Sequence, residues 1–141
     1  MSVIDRFAQK NEAFLLLLGR VLIAALFLPS GFEKLNRLAG FAATLGSRGV
    51  PAPQILAPLG AAVEFLAPAA ILLGLKTRYA ALILIAFTII ATLVSHRYWE
   101  FADAAIRQAQ SINFWKNVAI VGGLVFVFVR GSGRIAVIRD E

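Results

Sequence analysis

The stretch from Ala13 to Leu35, AFLLLLGRVLIAALFLPSGFEKL, constrains the chain more than any other. A helix rises 1.5 Å per residue, so about 20 apolar residues cover the roughly 30 Å of hydrocarbon in a bilayer. The run is too long for a signal-peptide core and holds Arg20 well inside it, so no cleavable leader is expected. A guanidinium at mid-span costs about 2.5–3.5 kcal/mol on insertion scales and needs a protein partner or a wet cavity. Helical steps of four, three, four and three carry Arg20, Ala24, Phe27, Gly31 and Lys34 onto one face. That face is cationic at two depths and must turn into the protein. Pro29 withholds a hydrogen bond from the Ala25 carbonyl and predicts a kink, and Ser30 and Gly31 leave room for a close neighbour.

Three further stretches have span length: Ile55–Leu75, Tyr79–His96 and Asn113–Arg130. Composition agrees, since 60% of the residues are hydrophobic and 16% charged, against about 25% charged in a soluble domain. The expected fold is an all-α membrane protein, an antiparallel up-down bundle of four transmembrane helices forming one domain over residues 1–141. Between the first two spans, Leu38, Phe41, Ala42 and Leu45 recur at helical spacing before the breaker VPAP, which predicts a short interfacial helix. Met1–Glu12 reads as a short polar segment of mixed charge, and Glu100–Ser111 as a short helix or loop outside the membrane. Alternation in the tail, at IAVI, is too short to define a strand. Gly122 and Gly123 read as a helix-packing surface.

A net charge of +6 would suggest nucleic acid in a soluble protein, but here the Lys and Arg residues cluster at span ends, where they set topology and meet anionic lipid. Arg6, Lys10, Lys76, Arg78, Arg130, Arg134 and Arg139 fall on one side of the membrane. Lys34, Arg37, Arg48, Arg97, Arg107 and Lys116 fall on the other, and two of these, Lys34 and Lys116, face the bundle. The positive-inside rule then puts both termini in the cytoplasm. There is no cysteine and a single histidine, so thiolate-ligated clusters and bis-histidine haem within one chain are excluded, and no metal site is expected.

The ionisable residues inside the spans carry the functional reading. Glu64 lies in the middle of the second span, and Pro68 leaves the Glu64 carbonyl without its helical donor. At similar depth on neighbouring helices, Arg20 and Glu64 are expected to form a buried ion pair. Lys34, His96, Asn113, Lys116 and Asn117 should gather near one mouth of the bundle, with the hydroxyls of Thr88, Thr92 and Ser95 along the third span. Each has a plainer reading: a structural clamp for the pair, snorkelling for the lysines, a boundary position for the histidine and carbonyl bonding for the hydroxyls. Together, so many polar groups on inward faces of a small bundle favour an intramembrane site.

The elements LLLLGRVLIAALFLPSGFEKL, LGAAVEFLAPAAILLGLKTR, SHRYWEF and NFWKNVAIVGGLVF occur in an order that resembles the DoxX family of small four-helix membrane proteins. The resemblance covers about nine-tenths of the chain, with Pro68 standing where the family often has glycine. It implies kinship with the small subunit of a thiosulfate:quinone oxidoreductase, in a bacterial cytoplasmic membrane, and raises the expectation of chemistry at a quinone. On that reading Glu64 and His96 would be the catalytic, proton-moving groups. Arg20, Phe27, Lys34, Asn113, Lys116 and Asn117 would hold the ligand. No covalent cofactor is implied. A bound quinone would be the redox partner within the bilayer, and electrons would come from a soluble partner protein or from a substrate that carries them itself; membrane lipids are the remaining partners, and a homo-oligomer is left open. The competing readings are a non-enzymatic binder or transporter of a small amphipathic or anionic molecule, and a structural subunit that docks a soluble oxidoreductase.

Overall fold

In a computed structural model, which describes residues 1–138, the described residues form six α-helices, one 3₁₀ turn and no strand. The helices are α1 (Val3–Lys10), α2 (Glu12–Asn36), α3 (Leu38–Ser47), α4 (Pro53–Leu73), α5 (Thr77–Ser95) and α6 (Ala104–Arg130). Four of them, α2, α4, α5 and α6, are long and apolar enough to cross a membrane. The first three match the expected spans to within two residues, and α3 is the expected short helix between spans one and two. Arg139, counted above among the tail cations, lies outside the described residues.

Two segments differ from the expectation. Residues 3–10 are a capped amphipathic helix: the Ser2 hydroxyl accepts from Asp5 N–H at 3.1 Å, and Asp5 accepts from Ser2 N–H at 2.8 Å. Hydrogen bonding of the carboxylate to Ser2, to its side chain first and then to its backbone N–H, holds the Asp5 carboxyl below its ordinary value. The second difference is at the fourth span, where the helix starts at Ala104, not Asn113. Asp103 caps it, its carboxylate accepting from Ile106 N–H at 2.9 Å, so residues 104–111 of the stretch expected as a separate short helix or loop are the polar first part of α6.

The buried residues of α2 are Arg20, Ala24, Phe27 and Gly31, the face that the spacing marked out. That helix runs unbroken through Pro29. It packs mainly on α4, α4 on α5, and α5 on α6, around a core of Phe27, Ala67, Ile71, Ala81, Leu84 and Leu124. Between α2 and α6 there is little contact, so that seam is the loosest of the four.

Glycine fixes the closest approach. A Cβ on Gly31 would sit 2.8 Å from the Phe65 nitrogen and 2.9 Å from the Glu64 carbonyl carbon, so the α2 backbone touches the α4 backbone at this level. Gly122 and Gly123, read from the sequence as a packing surface, do no such work: a Cβ on either would meet nothing within 4 Å.

Gly31 sets the stagger of the two helices. Because it lies against Glu64 and Phe65, Arg20 comes level with Gly74 at the far end of α4. The first turns of α2 therefore overhang α4, and residues 131–138 fold back to cover the overhang. In that tail Val137 N–H donates to the Leu73 carbonyl at 2.9 Å, and Gly133 lies over Leu16. At the other end α2 stops short of the α4 N-terminus, and α3 packs against α4 in its place.

Gly31→Ala should force α2 and α4 apart and lower stability by about 1–3 kcal/mol, the usual cost of overpacking. Gly122→Ala should instead leave stability equal or raise it by about 0.5–1 kcal/mol, the helix preference of alanine over glycine. Thermal melts of both variants in one detergent would check the contrast, and equal losses would contradict the assigned contact.

Candidate functional site

Glu64 is buried in the middle of α4, 4% exposed, where an unpaired carboxylate would be costly. Its ion-pair partner is Lys34, one helical turn along the face of α2 from Gly31: Nζ lies 2.5 Å from Oε2. The same ammonium donates to the Ser30 hydroxyl at 3.1 Å and stands 5.3 Å from the centre of the Phe41 ring, within cation–π range. Lys34 is thus held by α2, α3 and α4 together.

The expected Arg20–Glu64 pair is not formed. Arg20 lies 14 residues before Lys34, about 21 Å along the helix, which places it near the far end of α4. It is 2% exposed, and its Nη2 donates to the Ile135 carbonyl of the folded-back tail. Gly74, at φ 75°, makes room there: a side chain at that position would run into both Ala136 and Arg20. The tail residues that meet Arg20 carry no motif, so nothing in the sequence pointed to them.

The remaining candidates converge at the Lys34 end. A cavity of about 220 Å³ is lined by Phe27, Ser30 and Lys34 of α2, Glu64 of α4, Thr88 and Ser95 of α5, His96, and Lys116 and Asn117 of α6. It therefore lies where α2 and α6 part. Asn117 donates to the Thr92 hydroxyl at 2.9 Å, and Lys116 donates to Asn113 at 3.0 Å, which places Asn113 behind the lining. The Nδ1 of His96 is 2.7 Å from the Gln110 Oε1, on the first turns of α6, in the stretch expected outside the membrane. Thr88 and Thr92 bond the carbonyls of Leu84 and Thr88 at 2.7 and 2.6 Å, so their stripe is satisfied within α5.

Close in sequence to His96 and Lys116, the rings of Tyr98, Trp99, Phe114 and Trp115 cluster in edge-to-face contacts with centroids 5.2–5.9 Å apart. Amphipathic rings of this kind sit at the membrane–water boundary. Sequence reasoning did not find a second cavity, of about 830 Å³, bounded by α2, α3, α4 and α5. Its only trace in the sequence is Gly60, beside which Phe41 and Phe87 stand at 3.8 and 3.7 Å from where a Cβ would be.

The family model for DoxX matches residues 15–97, which hold Arg20, Lys34, Glu64 and His96. The chain belongs to the DoxX family. It is 33% identical over 125 residues to the inner membrane protein YphA of Escherichia coli (strain K12), covering 89% of each chain. It is 31% identical over 131 residues to the inner membrane protein YqjF of the same organism, covering 93% of this chain and 95% of that one. No solved structure matches it. The chain is an integral membrane protein of this family, and its polar residues form two separate groups: Arg20 with the tail at one end, and Lys34, Glu64, His96, Lys116 and Asn117 around a cavity at the other.

A double-mutant cycle separates the two groups. Glu64→Gln should destabilise the protein by about 3 kcal/mol, the low end of the range for breaking a buried pair, because the Lys34 side chain is 32% exposed. Combined with Lys34→Met the losses should be strongly non-additive, whereas with Arg20→Met they should add to within about 0.5 kcal/mol. Coupling between Arg20 and Glu64 would contradict the geometry.

Proposed function

We propose that the smaller cavity binds the ring of a lipid-soluble quinone, and that the protein is the membrane subunit of a quinone-linked oxidoreductase. The observation that carries this reading is the composition of one small cavity: a carboxylate–ammonium pair, an imidazole, an amide and a second ammonium, facing each other beside the loose seam between α2 and α6. Ligand sites for drug-sized molecules run to about 300–1,000 Å³, so 220 Å³ suits a single ring. The seam gives that ring a path from the bilayer, where a quinone is dissolved.

Each group has a task on this reading. Lys116 and Asn117, on adjacent positions of α6, donate to a carbonyl oxygen. Lys34 has its charge matched by Glu64, so the inner wall is neutral overall and suits an uncharged ring better than an acid. Reduction of a quinone to a quinol takes two electrons and two protons. Proton delivery falls to the Glu64–Lys34 pair inside and to the His96 imidazole nearer the mouth. The electrons come from a partner oxidoreductase. Arg20 has no part in this site.

The competing reading, a carrier of small acids, would rest on Lys116 alone, because the charge of Lys34 is already matched by Glu64. Gentle purification, organic extraction and mass spectrometry should recover about one quinone per chain, and a Lys116→Ala, Asn117→Leu double variant that still folds should lose it. An extract without quinone, together with no saturable binding of an added short-tailed benzoquinone, would overturn the proposal.

The relatives' names support placement in a bacterial inner membrane, and the charge distribution supports an orientation. The tail side holds Arg6, Lys10, Lys76, Arg78, Arg130 and Arg134. The cavity side holds Arg37, Arg48, Arg97 and Arg107, with Lys34 and Lys116 turned toward the cavity. Six outward cations against four put the termini in the cytoplasm and the cavity mouth in the opposite half of the membrane. A C-terminal reporter that fluoresces only in the cytoplasm should be bright; a dark one at normal expression would reverse the orientation.

A further inference from the structure

We propose that the larger cavity is a binding site for an anionic membrane phospholipid, with one hydrocarbon chain between α4 and α5 and the phosphate at Arg48, under α3. This inference is independent of what occupies the smaller cavity. The chain-binding part is read from shape and chemistry. Leu56, Leu59 and Val63 of α4 face Ile83, Phe87 and Ile90 of α5 across about 830 Å³, and the α5 residues on the wall, 83–95, cover about 18 Å of helix. Gly60 keeps the upper part of this groove wide, with Phe41 and Phe87 beside it.

A groove of this kind in a bilayer does not stay empty. Water would find few polar partners along these walls, whereas an acyl chain lying parallel to the helices fills the volume with dispersion contacts. The groove runs along the helices as a chain of the surrounding leaflet does, and its polar end lies at the level of α3.

The head is read from charge. The cavity is lined by Lys34, Arg37 and Arg48, with Glu33 as the only acid. Lys34 is matched by Glu64, and Arg37 by Glu33 at 3.6 Å. Arg48 has no ion pair among the described residues. It lies at the C-terminal end of α3, beside Thr44 and Leu45 on the cavity wall. An arginine at the boundary with one hydrocarbon groove below it is matched by a phosphate that carries an acyl chain.

The test is native mass spectrometry of the whole protein, released from nanodiscs of phosphatidylglycerol and phosphatidylcholine mixed in equal amounts. One phosphatidylglycerol should be retained per chain, preferred about fivefold, the factor expected of one basic residue near a lipid surface. Arg48→Glu, an exposed position that leaves the bundle intact, should abolish the preference. Gly60→Leu should reduce retention of both lipids by filling the groove, and Gly122→Leu, on the open face of α6, should leave retention unchanged. Equal retention of the two lipids, an unchanged preference in Arg48→Glu, or retention of a free fatty acid in place of phospholipid would each overturn the proposal.

Discussion

Everything else in the bundle depends on how α2 lies against α4, and that is settled by one carboxylate and one glycine. Glu64 is too deep to be solvated by water, so its charge requires a cation from a neighbouring helix. Two cations lie on the inner face of α2, one at each end. Gly31 decides between them, because it lets the backbones touch at the level of Glu64 and Phe65 and so brings Lys34 within 2.5 Å of the carboxylate. Arg20 is carried past the end of α4. The attraction between charges does not choose the register here; backbone contact does, and the ion pair then locks it.

The stagger that results makes the two ends of the protein chemically different. Where α2 overhangs α4, the chain end folds back and Arg20 donates to its backbone, with Arg130 paired to Glu12 close to the same end. This end is filled with protein. Where α4 overhangs α2, the space is taken by α3, a short helix with no buried residue, and the fit is loose. Both cavities lie at that end, and they share Ser30, Lys34, Phe87, Ala91 and Ser95 as common wall. The division into a sealed end and an open one therefore follows from a longitudinal offset.

The helical face of α2 was legible because a period of 3.6 is a local property: Arg20, Ala24, Phe27 and Gly31 are all buried where the spacing put them. The four spans were legible for the same reason, as was the convergence of Lys34, His96, Lys116 and Asn117, which lie near span ends on the same side. Depth was not legible. Aligning span ends sets Arg20 opposite Glu64, and the shift that separates them depends on Gly31 meeting a backbone that no periodicity describes. The large cavity was invisible because it is made by what α3 fails to fill. Gly122 and Gly123 have the composition of a packing surface, yet within this chain a Cβ on either would meet nothing within 4 Å.

The loose seam between α2 and α6 is best understood through the solvent. In water, a bundle would close such a seam, because each exposed apolar side chain there costs free energy. In a bilayer the lipid tails are as apolar as the side chains, so closing the seam gains little beyond packing. Leu22, Leu26, Val118 and Val125, on the two helices that touch least, are exposed and free to face lipid. What would be costly is exposing Glu64 and Lys34, and these lie behind the seam, matched to each other. A membrane protein can thus keep an opening into its polar interior at small cost, provided that the charges inside are neutral as a set. That combination admits molecules that are themselves soluble in lipid, which is the property a quinone-sized ring and an acyl chain have in common.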